Sequence, residues 1–105
     1  MAIVLHAARA TRDWLPAGVR RGDRMYHMLS DTPGPDGARE LRAFALSLGF
    51  RERWVQYPGS YREHFDVTER DAQAILACGD IRLISNRELG ALLQSKRAYL
   101  ESSQT

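Results

Sequence analysis

Two prolines and two glycines fall within the six residues Thr32-Pro33-Gly34-Pro35-Asp36-Gly37. No central strand continues through such a segment. It cuts the first half of the chain into an extended part before it and a new element after it. The part before, Asp23-Arg24-Met25-Tyr26-His27-Met28-Leu29-Ser30, reads as a strand. The part after is helical: Leu41, Phe44, Ala45 and Leu48 repeat at i, i+3, i+4 and i+7 and form one apolar stripe. Gly49 is placed to stop that helix in the left-handed conformation.

The same reading extends outward in both directions. Residues 2–6 (Ala-Ile-Val-Leu-His) form a short buried strand, and residues 7–22 a long connecting loop. Residues 50–56 (Phe-Arg-Glu-Arg-Trp-Val-Gln) read as a third strand. Thr68 caps a second helix, with Asp71 three residues on and Ala72, Ile75 and Leu76 turned inward. Cys78 is expected to pack on that helix. Residues 81–84 make a fourth strand. Ser85 and Glu88 form a capping box that opens a third helix, with Leu89, Leu92, Leu93 and Tyr99 or Leu100 inward.

The expected fold is α/β: a single small domain over residues 1–101, with a frayed tail over 102–105. It has a largely parallel four-stranded sheet and three covering helices in the order β-β-α-β-α-β-α. In such sheets ligands bind outside the carboxyl ends of the strands, where His6, Ser30 with Asp31, Gln56 with Tyr57, and Ser85 would lie.

Charge separates few function classes. The formal net charge is +2, too small to argue for nucleic acid as a partner. Of the 15 basic residues only Lys96 is not Arg; codon usage in a GC-rich genome explains this as well as phosphate recognition does. A single cysteine excludes an internal disulfide and fits a reducing compartment. The apolar run Met1–Leu5 is too short for a secretory leader, and no stretch reaches the length of a membrane span. A cytoplasmic protein without membrane partners is the expectation.

The polar residues that could carry chemistry fall in two groups. His27 and Asp31 share a strand face, but four extended steps separate them by about 13 Å. They would not hold one ion unless the chain turns at Ser30. His64 and Asp66 are two apart and, if extended, share a face about 6.6 Å apart. An Asp beside one imidazole nitrogen fixes the tautomer and frees the other as base or ligand. Plainer readings stand beside these: a turn-forming Asp31, a hydrogen-bonded strand His27, an Asx turn at Asp66.

Around them, Trp54, Tyr57, Tyr61 and Phe65 interleave with Arg53, Gln56 and Arg62, a mixture able to stack a base and hold its phosphate. Core rings with solvated arginines would look the same. Ser85-Asn86-Arg87 opens a helix whose free N–H groups could take an anion. Phosphate-loop, dinucleotide-binding, paired-cysteine and His-Glu-x-x-His motifs are absent. No metal or cofactor is expected, since three His and scattered Asp would make a metal site only by converging in three dimensions.

In their order, Tyr26-His27-Met28-Leu29-Ser30-Asp31, Glu40-Leu41-x-x-Phe44-Ala45-x-x-Leu48-Gly49, Trp54-x-Gln56, His64-Phe65-Asp66 and Asn86-Arg87-Glu88-Leu89 resemble the bacterial and phage family of domain of unknown function 4031. The resemblance implies a compact α/β domain and no particular reaction. Members tend to open with a strand ending in acidic residues. Here that strand ends Leu5-His6-Ala7-Ala8, which lowers the expectation of a metal-dependent nuclease centre.

The leading expectation is a binding module for a small anionic or nucleotide-like ligand. His27, His64, Ser30, Asp31, Gln56 and Asp66 would supply polar contacts, and Arg53, Arg62 and Arg87 the phosphate contacts. The alternatives are a phosphodiesterase or nuclease-like hydrolase using His27 and His64 as acid and base, and a regulatory module that pairs as a homodimer through the last helix.

Overall fold

A computed structural model describes residues 2–103. Four strands, β1 (Ile3–Arg9), β2 (Arg24–Ser30), β3 (Phe65–Thr68) and β4 (Arg82–Ile84), form one sheet in the order β3-β2-β1-β4. Three helices accompany it: α1 (Gly34–Ser47), α2 (Glu69–Leu76) and α3 (Asn86–Ser103). No helix among the described residues is long and apolar enough to cross a membrane.

The sheet is mixed rather than largely parallel. Only β1 and β4 run parallel, while β1–β2 and β2–β3 are antiparallel. The cause lies in the 10–23 connection. It folds back on itself: Ala10 N donates to Asp23 O and Gly22 N to Ala10 O, and Trp14 bridges Val19. A segment that closes this way returns the chain as a hairpin partner, whereas a parallel neighbour needs a crossover, usually helical. β1 accordingly runs past His6 to Arg9, with Ala7, Ala8 and Arg9 opposite Tyr26, Met25 and Arg24.

The third strand is also displaced from its expected position. Residues 50–56 do not form a strand; Glu52–Trp54 is a 3-10 turn. Phe50 and Val55 still pack against the core, but their spacing does not alternate as a strand requires. The pairing partner of β2 is Phe65–Thr68, where Phe65 and Val67 point inward and Asp66 and Thr68 do not.

Alternation divides the sheet into two faces. Leu5, Met28, Phe65 and Val67 project to one side, where Leu41 and Ala45 of α1 and Ala72 and Ile75 of α2 cover them. α1 begins inside the Pro/Gly segment, since a proline in the first turn loses no helical hydrogen bond. Gly37 is required there. A Cβ at this position would lie 1.8 Å from the Thr32 carbonyl oxygen, so the first turn of α1 presses directly on the end of β2. α2 ends at Leu76, which leaves Cys78 exposed rather than packed. α3 continues through Ser102 to Ser103, and residues 104 and 105 of the expected tail lie outside the described residues.

The opposite face carries two separate apolar patches. Val4, Leu29 and Ile84 lie under Leu89, Leu92 and Leu93 of α3. Ala8 and Met25 lie under Trp14, Ala17 and Val19 of the 10–23 connection. Between these patches a polar row crosses the sheet.

Candidate functional site

Register builds that row. His6 of β1 pairs with His27 of β2, and His27 pairs with Asp66 of β3. All three side chains share the face of Val4 and Leu29, because residues of equal parity on adjacent strands project together. His64, two residues before Asp66, joins them on the same face. It is held by an isolated bridge to Gln56 in which Gln56 N donates to His64 O at 2.8 Å. The cluster therefore crosses the middle of one sheet face and does not sit at the carboxyl ends of the strands.

The rings are close. His6 stacks on His27 with centroids 5.7 Å apart and planes at 18°, and the His27 and His64 centroids are 4.6 Å apart. Asp66 Oδ1 lies 3.2 Å from His64 Nε2 and 3.9 Å from His27 Nε2. Taking one ligand atom each, His27, His64 and Asp66 place all three within 4.8 Å of one another. Partial burial, and then the neighbouring His64, push the His27 imidazole down to about 4; Asp66 opposes this, and His6 adds a further small depression. His27 is thus a neutral ring at physiological pH.

The surroundings fix the outer rings. His64 Nδ1 bonds the Arg62 carbonyl oxygen at 2.7 Å. Only a protonated nitrogen donates to a carbonyl, so in the neutral ring Nε2 carries the lone pair toward Asp66. His6 Nε2 bonds Oδ1 of Asn86, the first residue of α3, and its buried Nδ1 has no hydrogen-bond partner among the described residues. Tyr57, 6.0 Å from the His64 ring, is a non-glycine residue at positive φ (51°), a conformation that stores strain. The Arg62 guanidinium lies 4.2 Å over the Tyr57 ring.

A cavity of about 400 Å³ adjoins Asp66, with Trp14, Trp54, Arg12, Arg53 and Gln56 in its wall. Of the residues singled out from sequence, His27, His64 and Asp66 form the cluster, and Gln56 and Arg53 line this adjoining cavity. Arg62 contributes its carbonyl and covers Tyr57. Arg87 is exposed in the first turn of α3, one residue after Asn86.

Ser30 and Asp31 do not join the cluster. Asp31 Oδ1 accepts from Ala2 N at 2.8 Å and from Thr32 Oγ1 at 3.3 Å, organising the end of β2. Ser30 Oγ donates to Glu40, and its carbonyl oxygen accepts from Lys96 Nζ. Ser30 borders a larger space of about 600 Å³ between α1 and α3, where Glu63 and Lys96 also reach the wall. Arg42 pairs there with Glu52 and Glu63, and Lys96 reaches the Ser30 carbonyl, while Arg42 Nε and Glu63 Oε2 are buried without a hydrogen-bond partner among the described residues.

The sequence places His6 at a ligand-facing strand end and Asn86 in an anion-binding helix start, but it joins neither to the imidazoles and gives Trp14 no place in a site. His6 carried one available signal, a lone polar residue in an apolar strand. Its partner, however, is set by register across the 10–23 hairpin.

No curated protein and no solved structure matches this chain. A family model described as "Protein of unknown function (DUF4031)" matches residues 15–96, which include His27, His64 and Asp66, and the chain belongs to that family.

Proposed function

We propose that this protein binds a small anionic, nucleotide-like ligand on the polar face of its sheet. One observation carries the reading: the cavity between Trp14 and Trp54, walled by Arg12 and Arg53, meets the imidazole cluster at Asp66. Indole rings stack on a base, guanidinium groups hold phosphate, and Gln56 and Asp66 read polar edges. The volume falls in the range of small-molecule sites, about 300–1,000 Å³. Titration calorimetry of chelator-treated protein with mono-, di- and cyclic nucleotides tests it. Heat from a single site, reduced in Trp54→Ala, is expected; no heat across the panel ends this reading.

A second reading has its own support. The His27 and His64 rings, 4.6 Å apart, lie within reach of one substrate atom group, as an acid–base pair for phosphodiester hydrolysis requires. Release of nitrophenol from bis(p-nitrophenyl) phosphate, lost in both His27→Gln and His64→Gln, would favour it over binding alone.

A further inference from the structure

The geometry points to a site for one divalent transition-metal ion, of the zinc type, formed by His27 Nε2, His64 Nε2 and Asp66 Oδ1; we propose that the ion keeps a fourth position open to solvent or ligand. This goes beyond the ligand reading and does not depend on it.

The hydrogen bonding of His64 leaves its Nε2 facing Asp66. Its Nδ1 is committed to the Arg62 carbonyl, so the neutral ring faces Asp66 with a lone pair. Lone pair and carboxylate oxygen, 3.2 Å apart, repel unless a cation lies between them. A carbonyl on the far nitrogen is also the usual way proteins orient a metal-binding imidazole. A proton on Nε2 would relieve the same repulsion, and the experiment below separates the two.

The spacing of the three groups suits such an ion. An ion with bonds of about 2.0–2.2 Å to nitrogen and oxygen in tetrahedral geometry sets its ligand atoms about 3.4 Å apart. The observed separations of 3.2 Å and 3.9 Å, with all three ligand atoms within 4.8 Å of one another, leave at most about 1.4 Å to close. Two imidazoles and one carboxylate suit zinc, cobalt or nickel better than magnesium or calcium, which prefer all-oxygen sets. Three protein ligands with an open position is the pattern of reactive rather than structural zinc sites. The side chains are 15–33% exposed, so solvent reaches that position.

The cluster also has a cost. Polar rings in mid-sheet give up apolar burial between two apolar patches of the same face.

Chelator-treated full-length protein, titrated with zinc chloride alone and separately with cobalt chloride, tests the site. One ion per chain, a rise of several degrees in Tm, and a tetrahedral visible spectrum for cobalt are expected. Asp66→Asn and His64→Gln, which keep the side-chain shape, should weaken zinc at least tenfold, while Cys78→Ser leaves it unchanged. Absence of zinc and cobalt binding overturns the proposal. So does binding that survives both Asp66→Asn and His64→Gln. Nucleotides are absent from these titrations and metals from the calorimetry above, so either reading can fail while the other stands.

Discussion

The two faces of this sheet are built from the same strands to different ends. On the α1/α2 face every central position is apolar: Leu5, Met28, Phe65 and Val67 are essentially inaccessible. On the other face the apolar cover is broken, and His6, His27, His64 and Asp66 fill the gap between the α3 patch and the 10–23 patch. Because residues alternate, neighbours in sequence belong to different projects. His64 and Asp66 flank Phe65, yet Phe65 anchors the core and they do not. One face holds the largest buried cluster, and the other holds groups that apolar packing would not select.

The largest expected effect puts that division to the test. Phe65→Ala should cost about 3–5 kcal/mol in urea unfolding, since a buried ring is replaced by a cavity. His64→Ala, one residue earlier, should cost about 1 kcal/mol or less. Equal losses would show that the polar face is a second structural core.

A smaller effect should come from pH. The folded-state value of His27, about 4, lies below the ordinary 6.5. The unfolded chain therefore takes up the proton first. Stability contributed here is full above pH 6.5 and declines as pH falls toward 4. The full shift corresponds to roughly 3 kcal/mol, and solvent screening at a side chain one-third exposed reduces this to roughly 1–2 kcal/mol. In chelator-treated protein, the wild type should lose that much more than His27→Gln between pH 7.5 and 4.5. Parallel losses in the two proteins would mean that His27 is not held neutral by its surroundings.

The smallest expected effect sharpens the contrast from the ligand side. Arg53 is exposed beside the Trp14–Trp54 cavity. Arg53→Ala should weaken a phosphate-bearing nucleotide about tenfold, near 1.4 kcal/mol, with stability unchanged within about 0.5 kcal/mol. A loss of stability without loss of binding would place Arg53 with the folding face.

What could be read from the sequence was what is local. The stripe of α1 buries Leu41 and Ala45 as its spacing requires. Thr68 Oγ1 accepts from Asp71 N, and Ser85 and Glu88 bond reciprocally, because capping geometry spans only three residues. The shared face of His64 and Asp66 followed from strand periodicity alone. The third strand could not be placed this way. Phe65 and Val67 are too short an alternation to stand out, whereas Phe50, Trp54 and Val55 offered more apolar mass without the period. The meeting of His6 with His27 depends on where the 10–23 hairpin closes. Asp31 looked equivalent to Asp66, but the Ala2 amide, distant in sequence, claims it.

The hydrogen bond from His6 to Asn86 joins residues 80 positions apart. The helix that supplies Asn86 is also the one that covers the Val4–Leu29 patch, so a single element both closes the apolar end of this face and clasps His6. A chain cut before residue 86 would carry the imidazoles but not that clasp.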